Sequence, residues 1–172
     1  PINRGVFAFD DKNINFANSK SDNGMVKILW VDDEVELLKP HVLFLQQKGY
    51  EVDTCNNGYD AIDMASEGAY DLIILDPPAF AKHRGALRNA LKGYTRLNVK
   101  GFQRIRKGGI LFTFSCSQVV SKEHFRQAVF TAAAQAGRKV RILHQLHQPA
   151  DHPINIYHPE GEYLKGLVLY VE

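Results

Sequence analysis

The apolar positions of this chain fall into short unbroken runs separated by stretches with helical spacing. The clearest run is Tyr70-Asp-Leu-Ile-Ile-Leu-Asp76. Its lack of polar alternation predicts a strand covered on both faces, and Pro77 ends it because proline has no N–H to give to a ladder. Residues 26–31, 51–55, 110–114, 140–146 and 164–171 read as further strands. Residues 35–48 place Val35, Leu38, Val42 and Leu45 on one helical stripe closed by Gly49, with a kink expected at Pro40. A turn at Asn57-Gly58 leads into a helix over 59–67 with Ala61, Ile62 and Ala65 inward. Gly108-Gly109 reads as a turn into the 110–114 strand, and residues 122–136 as a helix with Phe125, Val129 and Ala133 inward.

Ahead of this βαβαβ pattern, residues 5–18 alternate apolar and polar around Asp10-Asp-Lys-Asn13, the pattern of a β-hairpin, and residues 19–24 form a polar linker. The domain division is therefore 1–24, hairpin and linker, and 25–172, a single α/β domain. Right-handed crossovers place the strand ending at Asp32-Asp33 beside the one ending at Asp76, with all three carboxylates at one sheet edge, where open α/β sheets bind ligands.

Charge sharpens the picture. Residues 1–76 carry 6 Lys/Arg against 14 Asp/Glu, a balance of −8, while residues 77–172 carry 15 against 5, a balance of +10. From Phe80 to Lys107 there is no acidic residue, and Arg84, Arg88, Lys92, Arg96, Lys100 and Arg104 recur every four positions. Such spacing lines them along one helical ridge, with Leu87, Leu91 and Leu97 opposite and Gly85, Gly93 and Gly101 as candidate interruptions. Like charges at this spacing repel, which points to a polyanion such as RNA as the partner. Cys55 and Cys116 lie in unrelated contexts and form neither a disulfide framework nor a metal-ligand spacing. With no apolar run near the ~20 residues of a membrane span, a cytoplasmic protein is expected.

Three resemblances follow from these residues. Lys27-Ile-Leu-Trp-Val-Asp32-Asp33-Glu34, Gly49-Tyr50, Asn57-Gly58 and Tyr70 to Asp76 are similar to the first half of a response-regulator receiver domain, over about residues 25–76. Asp76-Pro-Pro-Ala-Phe-Ala-Lys82, Phe114-Ser-Cys116-Ser117, Gln148-Pro-Ala-Asp-His-Pro153 and Pro159-Glu-Gly-Glu-Tyr-Leu-Lys165-Gly166 resemble the C-terminal half of RlmI-type methyltransferases, which make 5-methylcytosine in large-subunit rRNA. That likeness covers about residues 70–172. The hairpin at 1–20 resembles the opening of a PAS sensor domain. The chain thus reads as a composite of a receiver-like half (25–76) and a methyltransferase-like half (77–172). The methyltransferase resemblance implies a doubly wound, mostly parallel sheet in the order 2-1-3-4-6-5, with strand 6 antiparallel.

Each half implies its own chemistry. In the methyltransferase, Cys116 matches the nucleophile that attacks cytosine C6, Asp76 the acid near N3, and S-adenosylmethionine is the donor. The donor is held in this fold by a glycine-rich turn after the first strand, yet here the turn reads Val31-Asp-Asp-Glu-Val35. Asp53 could imitate the ribose-binding acid but would not by itself restore a donor site. In the receiver, Asp76 matches the phospho-acceptor, and Asp32, Asp33 and Asp76 would hold Mg²⁺. Ser115 or Ser117 could replace the lost hydroxyl, and Lys165 the lost phosphate-neutralising lysine. The expectation is a composite α/β domain without methyl-transfer turnover that keeps the acidic cluster and a basic RNA-binding face. Its alternatives are a working rRNA cytosine-C5 methyltransferase and a non-catalytic scaffold.

Overall fold

The computed structural model describes residues 24–56 and 70–172. The N-terminal hairpin, all but the last residue of the linker, the Asn57-Gly58 turn and the 59–67 helix lie outside the described residues. The described elements are β1 (Lys27–Asp32), α1 (Lys39–Gln47), β2 (Glu51–Cys55), β3 (Tyr70–Asp76), α2 (Leu87–Arg104), β4 (Ile105–Ser115), α3 (Lys122–Gln135), β5 (Val140–Leu146) and β6 (Lys165–Val171). The six strands form one sheet in the order β2-β1-β3-β4-β6-β5. β2, β1, β3 and β4 are parallel, and β6 lies antiparallel between β4 and β5, as expected.

The unbroken apolar run of β3 reflects its central place. Ile73 and Leu75 are fully buried with Leu29, Val31, Leu111, Leu167 and Leu169 beneath α2 and α3. Leu72 and Ile74 take the opposite face and pack with Ile110, Phe112 and Val168. Among the described residues, one face of the sheet thus holds the main core and the other a smaller cluster.

Several local expectations are corrected. Pro40 does not kink a long helix: Val35–Leu38 is a 3-10 turn, and α1 starts at Lys39 with Pro40 in its first turn. There a missing N–H costs nothing, because first-turn N–H groups have no intrahelical acceptor. Gly49 closes α1 with φ 87°, and Tyr50 N–H reaches back to the Leu45 carbonyl at 3.1 Å.

The glycines do not interrupt α2, which runs continuously through Gly93 and Gly101. Both sit on its buried face. A Cβ on Gly101 would lie 2.9 Å from Leu111 and 3.0 Å from Leu75, and one on Gly93 would lie 2.9 Å from the Phe80 ring. The missing side chains let the helix approach the sheet and the loop after β3. Gly108-Gly109 is not a turn before a strand but part of β4. Between its pairings Tyr70↔Ile105 and Leu72↔Ile110, β4 advances five residues while β3 advances two, an irregularity that Gly108 at φ 78° accommodates.

Candidate active site

The carboxyl edge of the sheet gathers most of the candidate residues. Asp32 and Asp76 are register partners at the ends of β1 and β3. Ser115 pairs with Lys165 across β4 and β6, so Cys116 leaves the sheet next to the start of β6.

Three sequence motifs meet here, and Ser117 joins them. Its hydroxyl donates to the Ala81 carbonyl at 2.7 Å, tying the loop after β3 to the turn after β4. Its carbonyl accepts from Lys165 Nζ at 2.7 Å, and the same ammonium donates to the Tyr163 carbonyl at 2.7 Å. Its N–H approaches Ser115 Oγ at 3.4 Å, and that hydroxyl donates to the Tyr94 hydroxyl at 2.9 Å. Tyr94 reaches this point from α2, wedged between Phe80 and Phe125, with ring centroids 4.6 and 5.3 Å away. Burial pushes its phenol up to about 12; the bond from Ser115 works against that rise, and the nearby Cys116 and Asp76 add to it. Sequence reasoning missed Tyr94, whose only signal was an aromatic on the inner face of a basic helix.

The serine hydroxyls offered as receiver replacements are thus engaged in the scaffold. Lys165, 8% exposed, is likewise turned into the Ser117 and Tyr163 carbonyls. Desolvation lowers its ammonium to about 8; Cys116 raises it and Lys122 lowers it further.

The acidic cluster does not assemble as expected. Asp32 is 3% exposed and its Oδ1 accepts from the Glu34 N–H at 2.9 Å, closing a turn on itself, while Asp33 lies exposed just past the strand end. Among the described residues no three His, Cys, Asp or Glu side chains are grouped to hold a metal. Successive residues leaving a strand face opposite ways, which separates the neighbours Asp32 and Asp33.

Asp53 is also placed elsewhere. It lies inside β2, two residues before the strand end, where Oδ2 accepts from Tyr70 Oη at 2.8 Å and pairs with Lys27 Nζ at 3.2 Å. Burial, then the bond to Asp53, pushes the Tyr70 phenol up to about 12. Glu51 first, with Asp53 adding to it and burial opposing, holds the Lys27 ammonium well above its usual range. These partners bind Asp53 into the side of the sheet. With Asp32 folded onto Glu34 and no glycine between Val31 and Val35, the described residues do not fit S-adenosylmethionine in the manner the methyltransferase resemblance implies.

The basic ridge is continuous on the Arg84–Ala86 3-10 turn and α2. Arg84, Arg88, Lys92 and Arg96 are exposed, while Lys100 and Arg104 are half-buried. A spacing of four residues drifts about 40° per step around a helix of 3.6 residues per turn, so the row winds toward the core at its end.

Comparison with known proteins agrees with the methyltransferase half. No family model matches the chain. Ribosomal RNA large subunit methyltransferase I of Tolumonas auensis is 48% identical over 100 residues, 58% of this chain and 25% of that protein. The enzyme of the same name from Escherichia coli O1:K1 is 41% identical over 102 residues, 59% of this chain and 26% of that protein. The C-terminal half of the chain resembles these enzymes. The chain spans about a quarter of the length of the curated relatives it matches. Among solved structures, a Streptococcus mutans protein assigned as a SAM-dependent methyltransferase superposes with a TM-score of 0.60 at 15% identity, over 84% of this chain and 44% of that chain. A methyltransferase homologue from Pyrococcus horikoshii gives 0.50 at 15% identity, over 87% and 53%. The fold is that of these methyltransferases. Vibrio cholerae CheY4, at 25% identity over 45% of this chain and 59% of that chain, superposes with a TM-score of only 0.32.

Proposed function

We propose that this chain presents the target-base half of an rRNA cytosine-C5 methyltransferase site. The observation that carries this reading is the Ser117 junction, which unites the loop after Asp76, the turn bearing Cys116 and the start of β6. The 48% identity to a large-subunit rRNA methyltransferase supports RNA as the substrate class. Cys116 would add as thiolate to C6 of a cytosine, forming a C–S bond and moving the C5=C6 electron pair toward C5 and N3. Asp76, as the acid, would give N3 a proton, leaving an enamine whose C5 is nucleophilic. The methyl donor of the resembled family is S-adenosylmethionine, which the described residues do not fit.

The test needs no methyl donor. Thiolate addition makes C5 exchange its hydrogen with solvent, so an rRNA fragment carrying [5-³H]cytidine should release tritium in the presence of the chain. Release should vanish in Cys116→Ala and fall at least tenfold in Asp76→Asn. Tritium release unchanged by Cys116→Ala would end this reading, as would none from an rRNA fragment shown to bind. The ridge from Arg84 to Arg104 would hold RNA phosphates, with affinity that falls as salt rises.

A further inference from the structure

Among the described residues Lys165 forms no ion pair with a carboxylate, although its side chain lies in the protein. Burying an ammonium without a counter-charge is costly, and two carbonyl dipoles satisfy its hydrogen bonds without cancelling its charge. Two of its three N–H groups are used on Ser117 and Tyr163. The ionisable groups around it come from every neighbouring element. Cys116 follows β4; Lys122, Glu123 and Arg126 lie on the first turns of α3; His147 follows β5; and Glu162 precedes β6. Lys122 repels it, and Glu162 is held by Lys122. Glu123 is fully exposed and is stabilised as an anion first by its own backbone N–H and then by Ser121, at the start of α3. Cys116 stands between Ser115, the register partner of Lys165, and Ser117, whose carbonyl Lys165 Nζ holds at 2.7 Å.

We propose that Lys165 is a positioning residue for Cys116, fixing the Ser115–Ser117 turn and supplying the positive charge beside the thiol that makes it nucleophilic near neutral pH. A neighbouring ammonium favours the thiolate, the form that reacts. The lowered Lys165 value of about 8 agrees with a cation that has no carboxylate partner, and the benefit to Cys116 fades once the ammonium deprotonates. This inference rests on the reading of Cys116 as the nucleophile.

The experiment is alkylation by iodoacetamide from pH 6 to 9.5, using the full chain with Cys55→Ala so that Cys116 is the single thiol. The rate should reach half its plateau at least one pH unit below the ~8.5 of an ordinary cysteine. Lys165→Met should slow alkylation at pH 7 at least tenfold and move the midpoint up, and Lys165→Arg should recover to within threefold of the parent. A parent midpoint near ~8.5 would overturn the proposal even if Lys165→Met fails to fold. So would a folded Lys165→Met whose profile superposes on the parent. Because no RNA is used, loss of tritium release with this profile intact would count against the cytosine reading alone.

Discussion

The Ser117 hydroxyl donates to the Ala81 carbonyl at 2.7 Å across 36 residues of sequence, and both partners are buried. This bond holds the loop that follows Asp76 against the turn that carries Cys116. Replacing Ser117 with alanine would leave a buried carbonyl without its donor, at about 1–3 kcal/mol. A melting temperature lowered by several degrees is expected, together with a larger proportional loss of tritium release, since the two loops separate. Thermal unfolding monitored by circular dichroism, alongside the exchange assay, checks both.

Stability should rise with pH between about 8 and 10. Lys165 titrates near 8 in the folded chain and near 10.5 when unfolded, so over that interval the unfolded state binds more protons and alkali favours folding. The gain is present above the unfolded value and lost as pH falls through about 8. Above pH 10 the trend should reverse, because Tyr70 and Tyr94, raised to about 12, keep protons that the unfolded chain releases. Melting curves at half-unit steps should show this maximum. In Lys165→Met the rising limb should flatten while the fall above pH 10 remains.

Asp71 is fully buried, pairs with Arg106 Nε at 3.0 Å and accepts from the Lys27 N–H at 2.7 Å. It therefore locks the start of β3 to β1 and to the irregular part of β4. Asp71→Ala should cost about 3–5 kcal/mol, the range for breaking a buried pair from one side. Arg106→Gln should cost more, as it leaves the fully buried Asp71 carboxylate without its counter-charge, whereas an unpaired Arg106 keeps some solvent contact. Urea midpoints of the two variants decide the order, and equal midpoints would contradict it.

Two glycines should respond differently to alanine. At Gly166 a Cβ would stand 2.6 Å from two Phe114 ring atoms, and a ring cannot yield as an aliphatic tip can. Gly166→Ala should lose about 2 kcal/mol through overpacking. At Gly101 the nearest atoms are the methyl ends of Leu111 and Leu75, and alanine gains about 1 kcal/mol of helix propensity in return. Gly101→Ala should therefore lie within about 1 kcal/mol of the parent, measured by the same unfolding curves.

Reversing Arg88, Lys92 and Arg96 to glutamate should weaken binding of an rRNA fragment at low salt at least tenfold. If those side chains meet phosphates of single-stranded RNA, the slope of log affinity against log salt should flatten by about 2, from ~0.7 per lost contact. Equilibrium titration at several salt concentrations measures both. An unchanged slope would assign these charges to the solvated surface alone.

The sequence by itself carried the architecture. The unbroken run from Tyr70 to Asp76 marked a central strand, the alternation of strands and helical stripes marked an α/β sheet, and the methyltransferase likeness supplied the strand order with β6 antiparallel. These properties are written in local patterning, because a strand buried on two faces must be apolar throughout and Pro77 cannot continue a ladder. The same residues placed Asp76, Cys116 and Lys165 at one edge through the order and direction of their strands. Tertiary structure alone decided what the side chains do there. Asp32 closes a turn on Glu34 rather than joining Asp33 and Asp76 as a metal ligand, and Asp53 is occupied by Lys27 and Tyr70. Lys165 faces two carbonyls, and Ser117 joins three motifs that lie far apart along the chain. Hydrogen-bond partners of this kind depend on three-dimensional proximity and on competition among neighbours for the same donor, and neither is encoded in spacing along a chain. The glycines of α2 make the same point: propensity marked them as breaks, and only the nearness of Leu75, Leu111 and Phe80 shows that they are there to let a helix approach its sheet.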